Sequence, residues 1–282
     1  MEVRTQIEQQ LKRLKMPGVM HALDLRVAEA QQSGLGYLEF LSLLIDDETQ
    51  SRENNMLAKR LKAAAFGVQQ TFEQFDFRFN EQSLPPATLR DLATCRFIEQ
   101  RRNVVIGGPP GIGKTHAVKA IGHEACRRGY QVLFRSTQRL LHDLCADSGE
   151  RAERELRYAM KVDLLILDDF AFRALDQKEA EMLYVLAEGR LSTASTILTS
   201  NRPPEDWYAT FPDPVVGGAI LDRMVSAAIK IIATSGRSYR REVMGQRSTG
   251  QMRVQLPRIR RTGFRVKVGN LRDPGGGEYD GP

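Results

Sequence analysis

Apolar residues follow two different rhythms along this chain, and the change of rhythm divides it. From residue 2 to about 66 the spacing is helical. Ile7, Leu11 and Leu14 form one stripe, Leu23, Val27 and Ala28 a second, and Tyr37, Phe40, Leu41, Leu44 and Ile45 a third that continues through Met56, Leu57 and Leu61. Pro17-Gly18 interrupts the first helix and Ser33-Gly34-Leu35-Gly36 ends the second. The pattern predicts a small helical domain over residues 1–70. Arg52, Lys59, Arg60 and Lys62 read as its solvated face, with a nucleic-acid or partner contact as the alternative.

Past Phe66 the character changes. Phe72, Phe75, Phe77 and Phe79 crowd together around Arg78 and are expected to anchor a junction between domains rather than to stack bases. Leu84-Pro85-Pro86 is a stop, and Ala87 to Gln100 reads as a helix. From Asn103 onward short apolar runs alternate with amphipathic stretches. Strands are predicted at 103–107, 130–134, 162–168, 196–201 and 229–233, and helices over 115–128, 137–147, 150–160, 176–191 and from Ala219 to Met224. This alternation predicts an α/β architecture, a parallel sheet with flanking helices, over residues 71–241. Arg151, Arg154 and Arg157 form a slowly drifting stripe on one helix, read as solvated, with DNA as the alternative.

Two stretches carry chemistry. Gly108-Pro109-Pro110-Gly111-Ile112-Gly113-Lys114-Thr115 fits the phosphate-loop pattern and lies between a predicted strand and a predicted helix, as that pattern requires. Backbone N–H groups of such a turn, continued by a helix N-terminus, make a concave anion site. Lys114 is placed to reach the outer phosphates, Thr115 to ligate Mg²⁺, and His116 follows directly. The second stretch is Leu164-Leu165-Ile166-Leu167-Asp168-Asp169. Its aliphatics require a buried strand, and its carboxylates fall at the sheet edge where parallel strands meet ligands. Asp168 is assigned to Mg²⁺ and Asp169 to the attacking water. A strand ending in Asn201, parallel to this one, would set that amide beside the terminal phosphate.

Composition narrows the class without deciding it. The chain has 282 residues, 41% hydrophobic and 27% charged, with a formal net charge of +6. Eight Lys and Arg against four Asp and Glu lie in residues 242–282, so +4 of the +6 belongs to a basic C-terminal tail that reads as disordered. The N-terminus lacks a signal-peptide core and no apolar run reaches membrane-spanning length, so a cytoplasmic, non-membrane protein is expected. Cys95, Cys126 and Cys145 do not form a disulfide framework or zinc pattern.

With these motifs in hand, the chain resembles the AAA+ ATPases of the IstB and DnaC type, most closely the transposition helpers of insertion sequences. The resemblance rests on the phosphate loop, Leu-Leu-Ile-Leu-Asp-Asp-Phe (164–170), Leu-Thr-Ser-Asn-Arg (198–202), Leu-Asp-Arg-Met (221–224) and Ser-Tyr-Arg (238–240). It implies ATP and Mg²⁺ as ligands, with Asn201 as a nucleotide sensor, Arg223 as an arginine finger offered to a neighbouring subunit, and Arg240 as a second sensor. It also implies duplex DNA, a transposase and further copies of the chain as partners. The alternatives are a replicative helicase loader and an ATP-gated DNA-binding module with little hydrolysis. The chain departs from these relatives in Ala171, where they commonly carry Gly, and in its extended tail.

Overall fold

The computed structural model describes residues 2–146 and 149–242. All but the first residue of the basic tail expected over 242–282 lies outside them. Three helices lead the chain: α1 (Glu2–Arg13), α2 (Pro17–Ser33) and α3 (Tyr37–Ala64). Pro17 opens α2 at a position where its missing N–H is unneeded, and Gly34 closes it at φ +63°. A buried carboxylate joins α2 to α3. Glu48 accepts from the N–H groups of Gly18 and Val19 at 2.8 and 3.3 Å, and from Arg52 Nε at 2.7 Å. Leu11, Val19 and Leu44 form a small core there. The far half of α3 packs elsewhere, where Leu57, Leu61 and Ala64 join the core beneath the sheet that follows.

That sheet has five parallel strands, β1 (Val104–Gly107), β2 (Val132–Ser136), β3 (Leu164–Asp168), β4 (Ser195–Ser200) and β5 (Ile229–Ile232), in the order β2-β3-β4-β1-β5. Side chains of a strand alternate between faces, and both faces here are apolar. Val104, Ile106, Leu164, Ile166 and Ile197 meet one core with α4 (Pro86–Ala93), α5 (Arg96–Glu99), α6 (Lys114–Arg127) and the end of α3. Val105, Leu165, Leu167 and Leu198 meet the other, with α7 (Thr137–Ala146), α8 (Glu150–Lys161), α9 (Gln177–Arg190) and α10 (Pro214–Val225).

Several boundaries differ from the sequence reading, β3 among them in starting at Leu164, and three have a clear local reason. The helix expected over 87–100 is two helices, because Cys95 takes φ +62° and turns the chain between α4 and α5. β2 starts two residues later than expected, since Gly129 at φ +100° and Tyr130, donating to Ala125 O at 3.0 Å, close α6. Helix α10 starts five residues sooner. Pro214 and Gly217 look like breakers, but the proline occupies the first turn, where Asp213 caps Val215 N at 2.7 Å. A Cβ at Gly217 would come within 2.8 Å of Phe211.

A capping box opens α9, with Asp176 accepting from Glu179 N at 2.8 Å and Glu179 accepting from Asp176 N at 3.1 Å. Arg151, Arg154 and Arg157 lie along the outer side of α8; among the described residues Arg151 and Arg154 have no carboxylate partner, and Arg157 is bonded to Glu153 at 3.0 Å. No helix among the described residues is long and apolar enough to cross a membrane.

Candidate functional site

All five strands point the same way, so their C-terminal ends gather the chemistry at one edge. β1 runs into the glycine loop, where Gly108, Gly111 and Gly113 have φ of +148°, +88° and +109°. Side chains rarely adopt these angles. Gly111 has a second constraint, because a Cβ there would collide with Ser238. The loop is thus pressed against residues 235–239, and Tyr239 N donates to Gly111 O at 3.0 Å. Asn80 completes the clamp. Its Nδ2 donates to Ile112 O at 3.1 Å and Arg237 O at 2.9 Å, and its Oδ1 accepts from Arg237 N at 3.0 Å.

α6 begins at Lys114, directing its first N–H groups toward the loop. Lys114 is buried, and its Nζ donates to Gly108 O at 2.7 Å, Pro109 O at 2.9 Å and Asn201 Oδ1 at 2.8 Å. Burial pulls its pKa down to about 8, opposed by the nearby Asp169 and Asp168 carboxylates.

Register places β3 beside β4, and the acids therefore meet the polar end of that strand. Thr115 Oγ1 donates to the two carboxylate oxygens of Asp168 at 3.2 and 3.0 Å. Thr199 Oγ1 donates to the same carboxylate and accepts from Asp169 N at 3.1 Å. Asp169 sits at φ +53°, and its Oδ1 accepts from Asn201 Nδ2 at 3.2 Å. Partial burial, then the Asp168 charge, raises the Asp169 pKa, with Lys114 and Asn201 opposing. A carboxylate shifted upward is a better proton acceptor near neutral pH.

Lys114, Thr115, Asp168, Asp169 and Asn201 are therefore one hydrogen-bonded constellation. Arg240, exposed, is near enough for its charge to act on both Lys114 and Asp169. His116 turns to the preceding segment, its Nε2 3.0 Å from Thr71 O and its ring edge-on to Phe75 at 5.1 Å. Phe75 also meets Phe72 and Phe77 edge-on, and the Phe79 ring meets Tyr239 at 5.1 Å.

Arg223 is not part of this group. It lies on α10, where Nη1 donates to Ala219 O at 2.9 Å, Nη2 donates to Tyr184 OH at 3.3 Å, and the guanidinium lies 4.9 Å from the centre of the Tyr184 ring. Asn103 Nδ2 donates to Arg223 O at 3.3 Å, which puts Arg223 beside the start of β1 while the loop follows its end. At roughly 3.3 Å per strand residue, about 15 Å separates the two edges. Thr199 and Asn80 are the residues that sequence reasoning passed over. Thr199 lies two residues before Asn201 on β4, but a threonine near a strand end carries no signal until the neighbouring strand brings Asp168 to it. Asn80 had none, being 157 residues from its partner.

The chain is similar to known proteins in sequence and in fold. The family model described as IstB-like ATP binding protein matches residues 9–247. A protein of Mycobacterium tuberculosis, named for ATP binding in an insertion sequence, is 43% identical over 232 residues, covering 82% of this chain and 92% of its own. One from Pseudomonas aeruginosa, similarly named, is 36% identical over 238 residues, covering 83% and 88%. Among solved structures, DnaI is 20% identical with a TM-score of 0.52 over 63% of this chain and 94% of its own. AMPPCP-bound DnaA of Aquifex aeolicus is 21% identical with a TM-score of 0.51 over 66% and 56%. The structural likenesses show a shared fold, a parallel sheet with flanking helices.

Proposed function

The chain belongs to the IstB-like ATP-binding proteins of insertion sequences, and from that premise we propose that it hydrolyses ATP between copies of itself on duplex DNA, in support of a transposase. The observation that carries the reading is the shared constellation of Lys114, Thr115, Asp168, Asp169 and Asn201 at the open edge of the sheet. Loop amides and Lys114 bind the phosphates. The Lys114 ammonium, already facing three oxygen acceptors, exchanges some of them for phosphate oxygens. Asp169, raised in pKa and aimed by Asn201, orients the attacking water and receives its proton.

The donor set also fits Mg²⁺. Thr115 Oγ1 and the Asp168 carboxylate are adjacent hard oxygens, and among the described residues no group of three or more His, Cys, Asp or Glu could hold a metal ion by itself. Mg²⁺ commonly completes its shell with phosphate and water, and it polarises phosphoryl oxygens when bound. Arg223 is too far from its own loop to act there, so its partner is the nucleotide of a neighbouring copy, with Arg240 serving the nucleotide of its own chain.

The test is steady-state ATP hydrolysis with and without duplex DNA. Turnover stimulated by DNA and reduced by about 10³ or more in both Lys114→Ala and Arg223→Ala is expected. ATP-dependent DNA retention by a parent that does not turn over would instead indicate a gated binding module.

A further inference from the structure

A cleft of about 130 Å³ opens at the opposite edge of the sheet, beneath the starts of β4, β1 and β5. Arg101, Arg102, Arg190 and Arg223 line it, and no carboxylate does. Such a concentration of cations is unusual in a chain whose first 241 residues carry a net charge of only +2. Among the described residues none of the four forms an ion pair. Arg101 donates to Ser192 O at 3.0 Å, and Arg223 is held by a carbonyl and a phenol. Arg190 is 3% exposed and directs its guanidinium to the Ala159, Met160, Val162 and Ser195 carbonyls and to Thr196 Oγ1. Arg223 Nε is buried without an acceptor. The wall is therefore fixed by Arg190, and the mouth presents Arg223 with the exposed Arg101 and Arg102. Arg101, at φ +53° after α5, turns the chain so that both side chains fall at this edge.

Planar guanidinium groups facing an acid-free recess match phosphate oxygens. The phosphates of the same chain are excluded, since its loop lies on the far edge. We propose that this cleft receives the terminal phosphate of the ATP held by a neighbouring copy, and that Arg102 is a second cation acting across the interface beside Arg223. The inference rests on the inter-subunit reading of the site and adds a residue to it. A recess of about 130 Å³ matches a single phosphate end better than the continuous backbone of a duplex. Two cations on one developing charge divide its stabilisation, so losing Arg102 is expected to cost less than losing Arg223.

The experiment uses the full chain, alone and in equimolar mixtures with Lys114→Ala, which keeps its cleft but loses the phosphate-binding lysine of its loop. Arg102→Ala is expected to lower DNA-stimulated turnover at least tenfold, with ATP affinity within twofold of the parent. Mixing it with Lys114→Ala should restore roughly a quarter of parental turnover, because one pairing in four then joins an intact loop to an intact cleft. Arg102→Lys should retain an intermediate rate. Parental turnover by Arg102→Ala would overturn the proposal. So would a loss that mixing does not rescue while Arg223→Ala with Lys114→Ala is rescued. Weakened DNA retention in a non-hydrolysable ATP analogue, with DNA-free hydrolysis unchanged, would assign the cleft to DNA instead. Failure of the Arg223→Ala mixture as well would reject the inter-subunit reading itself.

Discussion

Lys114 shows how one residue's burial sets a measurable property. Burial has pulled its pKa to about 8, and phosphates favour its charged form. Nucleotide binding must therefore raise that pKa, so affinity is complete below pH 8 and is lost as pH rises through it. ATP titrations between about pH 7 and pH 9.5 should show a constant Kd up to about 8 and a weakening of up to tenfold per pH unit above it. A flat profile across that range would mean the ammonium is not the titrating phosphate ligand. Both residue types were legible in the sequence, because a glycine-rich loop with Lys-Thr and a strand ending in two acids have few other uses. The short bridge through Thr199 was not, since a threonine at the end of a strand is common and only the neighbouring strand gives it a carboxylate to hold.

Among the described elements, the turn after β3 is the one that carries two non-glycine residues at positive φ close together. Asp169 and Ala171 both have positive φ, at +53° and +55°, on either side of Phe170. Phe170 is pinned there by a ring contact with Trp207 at 4.8 Å, by its own N–H to Thr199 O at 2.7 Å and by Ser200 Oγ to its carbonyl at 2.7 Å. Aspartate tolerates this conformation, whereas alanine incurs a steric cost of about 1–2 kcal/mol. Ala171→Gly removes that cost and adds about 0.5–1 kcal/mol of chain entropy, so its stability should stay within about 1 kcal/mol of the parent. Ala171→Val, β-branched at a buried positive-φ position, should lose about 2 kcal/mol or more. Thermal unfolding of the two variants measures both, and equal stability of the valine variant would show that the turn relaxes. Element types were legible throughout, as the 3.6 and 2.0 periods are strong signals. Boundaries were less legible, and at Cys95, Tyr130 and Pro214 the local turn rather than the periodicity decided them.

Across the whole molecule, the phosphate loop is braced by segments distant in the chain. Asn80 ties the loop to residues 235–239, and Ser83 Oγ donates to Ser235 O at 2.6 Å. Asn80→Ala removes three side-chain hydrogen bonds and leaves their partners short of them, a loss of about 2 kcal/mol. It should lower the melting temperature and weaken ATP binding several-fold, since the loop is then no longer held in shape before the nucleotide arrives. Calorimetric titration with ATP checks the second part; parental affinity in a destabilised variant would confine Asn80 to folding.

Whatever depends on neighbours along the chain is written in the sequence: the strands and helices, the parallel α/β class, the glycine loop, the paired acids and the family. Local sterics and periodic burial act within short stretches, so short stretches record them. Which loops share an edge is settled instead by the packed fold. Strand order sets β4 between β1 and β3, which puts Asn201 within reach of both Lys114 and Asp169. The same order puts Arg223 at the far edge with Arg101, Arg102 and Arg190. Contacts between residues roughly thirty to a hundred and sixty positions apart leave no periodic trace in a sequence, because they arise from packing faces that the chain brings together only when folded.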